Sequence, residues 1–142
     1  RDRSVSRGLG DVYKRQDALT SILDPSLPLT VTEWDEWGDP LHNADVYRYM
    51  KEYTPYENAP SDANDARVAV FPKIFITTSM NDTRVLYVEP MKWLARLQRA
   101  GVDAVAKIEV EAGHGGTSGR YKQWEEISYE NAWCLGVMGI TS

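Results

Sequence analysis

A chain of 142 residues that is 42% hydrophobic and 26% charged has the composition of an ordinary globular domain and the length to bury a core. Its formal net charge of −5 argues against nucleic acid or an anionic membrane surface as the main partner. No apolar run approaches the roughly 20 residues that a membrane span needs. The single cysteine, Cys134, excludes an internal disulfide and a cysteine-built zinc site, and beside Tyr129, Trp133 and Leu135 it reads as a buried filler.

The first sixteen residues differ from the rest. Five positive charges (Arg1, Arg3, Arg7, Lys14, Arg15) face two negative ones, and Gly8 and Gly10 break any helix. A secretory leader would need an apolar stretch of about 7–15 residues, and none is present. The string RDRSVSRGLGDVYKRQ resembles translated adaptor sequence found at the ends of gene fragments. Residues 1–16 are therefore set outside the fold, with a native basic tail as the alternative, and residues 17–142 are taken as the domain. A short helix is expected over 17–24, stopped by Pro25. Residues 28–40 are expected to form a loop rich in acids and tryptophan, with Glu33, Trp34, Asp35, Glu36 and Trp37 in succession. Asn43 can cap a helix reaching Tyr53, with Ala44, Tyr47 and Met50 at helical spacing and Pro55 beyond. Residues 57–67 are polar and read as an exposed loop, and His42 reads as an exposed loop histidine.

The second half is regular. KIFITTS (73–79) is a β-branched and aromatic run of the kind found in buried parallel strands. A helix follows over 88–100, with Pro90 tolerated in its first turn and Gly101 as its stop. Residues 104–110 form the next strand. A final helix covers 121–137, with Trp124, Ile127 or Ser128, Ala132 and Leu135 expected on its inner face. Strand, helix, strand, helix implies parallel strands joined by a crossover, in which active groups sit just past the carboxyl ends of the strands.

Two residues occupy those positions: Asp82 after the first strand and His114 after the second, 32 residues apart. An imidazole with a pKa near neutrality can take a proton from a serine hydroxyl and return it to a leaving amine. A carboxylate on its other nitrogen fixes the tautomer and stabilises the imidazolium. Gly113, Gly115 and Gly116 leave room around the base. This is the chain order Ser…Asp…His of an α/β-hydrolase, with the serine absent. Taken singly, Asp82 reads as a turn or cap residue and His114 as a structural or solvated histidine; together at consecutive strand ends they read as a catalytic pair. His42 and His114 alone make no metal site. No cofactor is expected.

Several strings resemble the oligopeptidase B branch of the prolyl oligopeptidase family of serine peptidases: SILDPSLPLT, EWDEWGDP, YRYMKEYTPYEN, SMNDTRVLYVEPMKWLARL and AGHGGTSGRYKQWEE. The resemblance covers essentially everything after residue 18. It implies the C-terminal portion of an α/β-hydrolase fold with an incomplete sheet, capped in the intact enzyme by an N-terminal β-propeller. It implies cleavage of short peptides after Arg or Lys, with Asp82 as triad acid and His114 as triad base. Glu33 and Asp35 would correspond to the acidic pair that recognises a basic P1 side chain. The branch usually carries glutamate at both places, so Asp35 departs by one methylene. Arg84 matches an arginine that hydrogen-bonds a substrate carbonyl in prolyl oligopeptidases. The segment over 57–71 is longer than usual and reads as a surface insertion. The family's nucleophile lies in a Gly-x-Ser-x-Gly elbow upstream of residue 17, and Ser79, Ser118 and Ser128 are not placed in such an elbow.

The expected function is thus a fragment of a serine endopeptidase, inactive alone because a triad without its serine has no covalent route. Its partners would be short basic peptides and the missing propeller and upstream hydrolase segment, with neither nucleic acid nor membrane. The alternatives are another α/β-hydrolase, such as an acylaminoacyl peptidase or esterase, and a non-catalytic interaction domain. Cysteine scarcity fits the cytoplasm and leaves the periplasm open.

Overall fold

The computed structural model describes residues 16–83, 85–111 and 120–140. Three helices come first: α1 (Ala18–Ile22), α2 (Thr30–Trp37) and α3 (Ala44–Tyr53). A single 3-10 turn, Val68–Val70, precedes β1 (Ile74–Ser79), α4 (Val88–Arg99), β2 (Ala104–Glu109) and α5 (Arg120–Val137). The two strands pair in parallel, in register from Ile74 opposite Ala104 to Ser79 opposite Glu109. Parallel strands with flanking helices are the α/β arrangement that the strand, helix, strand, helix order predicts.

Parallel pairing demands that the chain return to the start of the sheet, and α4 makes that return. Its apolar side buries Leu94 and Leu97 against Ile76, Val102 and Ala104. The helix ends in a Schellman motif: Gly101 N–H donates to the Gln98 carbonyl (2.9 Å) and Val102 N–H to the Leu97 carbonyl (3.0 Å). Gly101 adopts φ +82°, which only glycine takes at little cost. The Gln98 amide then donates to the Ala104 carbonyl at 2.8 Å, fixing the helix to the head of β2.

A second, smaller cluster joins Leu19, Ile22 and Met50 from α1 and α3, with Trp34 of α2 packed on it. Asn43 caps α3 as expected, its Oδ1 accepting from the N–H groups of Asp45 and Val46. The two clusters meet at two buried acids. Glu89, in the first turn of α4, accepts from Ser21 Oγ and from Asp17 N–H (3.4 Å). Asp17 in turn pairs with Lys92, whose Nζ also donates to Thr20 Oγ1 at 3.0 Å. Gln16 is docked too, its carbonyl accepting from Tyr56 N–H at 2.9 Å.

Four expectations are revised. Residues 30–37 form a helix rather than a loop, because Val31, Trp34 and the neighbouring acids lie on a turn anchored by Thr30 Oγ1, which donates to the Ser21 carbonyl at 2.9 Å. The segment over 57–71 is not merely surface: Ala59 is buried in the main cluster, and Val68 and Phe71 pack against it. On α5, Trp124, Ile127 and Leu135 point to solvent. The side facing the sheet carries Trp133, stacked on Phe75 with centroids 5.5 Å apart. Beside it, Glu126 lies 3.8 Å from Lys107, whose Nζ lies 5.0 Å from the Tyr129 ring centre. Apolar residues are scattered all round this helix, so periodicity singles out no face. Cys134 is half-buried rather than buried.

Glu57 yields a pH-dependent expectation. Burial pushes its carboxyl above the ordinary 4.5, with Asp17 adding to the effect. Folding therefore favours its protonated form, and this contribution to stability is lost as pH rises through the raised pKa. Glu57→Gln should raise the thermal midpoint near pH 7 and leave it unchanged near about pH 3, where both states hold the proton. Melting curves across that range provide the check.

Candidate functional site

The register of the sheet decides what stands at its carboxyl edge. Met80 N–H donates to the Glu109 carbonyl at 2.8 Å, so the ladder runs one residue beyond β1. The chain then turns, with Asp82 N–H donating to the Ser79 carbonyl at 3.2 Å. Asp82 is half-buried at this turn. Its Oδ1 accepts from Val85 N–H at 2.9 Å, so the carboxylate also braces the turn that leads to α4. The cap role and the catalytic role are compatible, because a carboxylate offers several lone-pair sites. Across the edge, Asn81 Nδ2 donates to the Val110 carbonyl at 2.8 Å, joining the Asp82 turn to the segment leaving β2. His114 and Arg84, with Ser118 and the glycines beside His114, lie outside the described residues.

Glu33 and Asp35 share α2 but not a face. Residues two apart on an α-helix are turned by about 200° from one another. Glu33 is buried, at 6% exposure. It lines a cavity of about 360 Å³ together with Ile22, Trp37, Met50, Tyr53 and Trp93. Among the described residues it carries the only carboxylate in that wall. Asp35 and Glu36 are exposed. The rest of the lining is chiefly aromatic and aliphatic, and Trp93 brings a buried indole Nε1 with no hydrogen-bond partner among the described residues. Burial and the neighbouring Tyr49 push the Tyr53 phenol up, keeping it neutral. Such a pocket suits a long cationic side chain, with an apolar wall for its stem and one acid for its head. The aromatic contribution of Trp93 and Tyr53 is not legible in the sequence, where YRYMKEY and MKW give helical spacing and a family resemblance but no pocket.

The other candidates fall away. His42 is exposed as expected, its Nδ1 2.7 Å from Asp39 Oδ2 and its ring edge-on to Trp34. Ser128 sits inside α5 with Oγ donating to the Trp124 carbonyl at 2.7 Å. Ser79 is buried at the end of β1. Among the described residues no group of three metal-ligating side chains occurs.

The position of Glu33 depends on how α2 ends. Gly38 adopts φ +92° and ψ +162°, a region open essentially to glycine alone. A Cβ there would stand 2.8 Å from Val46 Cγ1 on α3. Gly38→Ala should cost about 1–3 kcal/mol, measured by urea denaturation. A loss within experimental error of zero would show that the α2–α3 corner can relax.

Comparison with known proteins agrees with this architecture. A family profile described as the prolyl oligopeptidase family matches residues 14–141. Protease 2 of Moraxella lacunata is 45% identical over 127 residues, covering 87% of this chain and 17% of the relative. Dipeptidyl aminopeptidase BI of Pseudoxanthomonas mexicana is 38% identical over 129 residues, covering 89% and 17%. The solved structure of oligopeptidase B from Leishmania major superposes with a TM-score of 0.77 at 32% identity, over 89% of this chain and 17% of that one. The chain thus spans about one sixth of the length of the relatives it matches, and it belongs to the prolyl oligopeptidase family.

Proposed function

We propose that this chain is the C-terminal part of a serine endopeptidase that hydrolyses short peptides after Arg or Lys. Asp82 and His114 act as acid and base, and the nucleophilic serine comes from outside this chain. The observation that carries the reading is the in-register parallel pairing of β1 with β2. It sets the Asp82 turn beside the segment that leads, four residues past Val110, to His114. In the reaction, His114 takes the serine proton as the hydroxyl attacks the scissile carbonyl. It then hands that proton to the departing amine, and water hydrolyses the acyl-enzyme by the same route. Asp82 holds the imidazole in the right tautomer and stabilises its charged form.

Substrate preference rests on Glu33. A buried carboxylate in a chiefly apolar cavity is a strong partner for a guanidinium or ammonium group. Asp35, exposed on the other side of α2, contributes charge at longer range, so its shorter side chain costs little. The similarity to a relative named as a dipeptidyl aminopeptidase supports a second reading, removal of dipeptides from a free amino terminus.

The test is a chimera in which residues 16–142 replace the matching segment of the Moraxella lacunata protease. It should cleave amino-blocked Arg and Lys substrates and lose activity on His114→Ala. Glu33→Gln should lower kcat/KM for Arg substrates by about 30-fold or more, and Asp35→Asn by less than about fivefold. Cleavage confined to substrates with a free amino terminus would favour the dipeptidyl reading. Turnover of an Arg substrate by the purified 142-residue chain, lost on His114→Ala, would overturn the assignment of the nucleophile to another segment.

A further inference from the structure

We infer that Asn81 is a positioning residue for the acid–base pair, acting as a side-chain rung between the two strand tips; this rests on the Asp82–His114 reading above. The backbone ladder ends where Met80 N–H meets the Glu109 carbonyl. Among the described residues no backbone hydrogen bond joins the two strands beyond that one. Asn81 supplies the missing link. Its Nδ2 donates to the Val110 carbonyl at 2.8 Å, across 29 residues of sequence. Its own backbone N–H donates to Ser79 Oγ at 3.3 Å, which fixes the start of the turn.

Asp82 follows directly and is pinned from its other side by Val85 N–H on Oδ1. The carboxylate is therefore held between two restraints, one to the turn before α4 and one, through Asn81, to the end of β2. Neighbouring Glu111 N–H donates to Glu109 Oε1 at 3.0 Å, so the departing segment is itself ordered where Asn81 grips it. Asn81 acts through its bond to the Val110 carbonyl. Its effect is on the separation and angle between the carboxylate and the imidazole, where a displacement of about 1 Å can cost about 100-fold in rate.

Removal of the amide should loosen Asp82 relative to His114 and weaken the stabilisation of the imidazolium. The His114 pKa should then fall, because a carboxylate nearby is what favours the charged ring. The measurement is histidine C2-hydrogen exchange followed by mass spectrometry on the chimera, with kinetics beside it. Asp82→Asn should lower the His114 pKa by about 1 unit or more. Asn81→Ala and the similarly sized Asn81→Leu should shift it in the same direction by a smaller amount. They should also lower kcat about tenfold with KM within about twofold, a split expected of misplaced catalytic groups. If Asp82→Asn moves the pKa and neither Asn81 variant does, the positioning role is wrong and the pair stands. If Asp82→Asn leaves it unmoved, the pair itself fails, and this inference with it. If both Asn81 variants lose the fold by circular dichroism, Asn81 serves stability and not position, which equally overturns the proposal.

Discussion

The parallel pairing of β1 with β2 is the constraint on which the rest of the molecule depends. A parallel ladder forces the connecting chain back to its starting end, so α4 must lie against the sheet, and the two carboxyl ends must stand side by side. The Asp82 turn and the Asn81 link stand there. The apolar contact of Leu94 and Leu97 with Ile76 and Ala104 stabilises the crossover, and the Schellman turn at Gly101 aims the chain into β2. Register then does the remaining work: one residue of slip would turn every side chain to the opposite face and separate Asn81 from Val110.

The second organising contact is polar and buried. Glu89 and Asp17, both almost wholly withdrawn from solvent, bind the first turn of α4 to α1 through Ser21 and Lys92. Buried acids are costly unless paired or hydrogen-bonded; here Asp17 pairs with Lys92, and Glu89 accepts from Ser21 Oγ and Asp17 N–H. Their directional bonds fix how the helical layer meets the strand layer, which apolar packing alone does not. Because α1 carries α2 on its flank, the same joint determines where Glu33 stands. The cavity behind Glu33 has walls from α1, α2, α3 and α4, so no single element could form it.

Helical geometry also sorts the acidic string EWDEW. Read as a loop, its acids are equivalent. Wound into α2, Glu33 turns inward beside Trp93 and Tyr53 while Asp35 and Glu36 face water. On the proposed reading, selectivity for a cationic side chain would fall to one buried carboxylate, which is a stronger recognition element than several solvated ones because water competes less with it.

Much was legible in the sequence. The strands, α4 and the N-cap at Asn43 follow from β-branched runs, helical spacing and capping chemistry, all of which act over a few residues. The string SMNDTRVLYVEP marked the end of β1 for the same reason, while AGHGG lies outside the described residues. Local signals failed where distant groups decide. Residues 30–37 became a helix through Thr30 reaching back to Ser21, and α5 turned Trp133 inward because Phe75 offers it a stacking partner. The segment over 57–71 entered the core because the end of α4 left apolar surface for Ala59 and Phe71 to cover. Apart from α2, composition, capping and periodicity therefore determined which elements exist and in what order. Only the tertiary structure decided which faces they bury, which acid enters the cavity and which amide bridges the strand tips, because those choices depend on contacts between residues tens of positions apart.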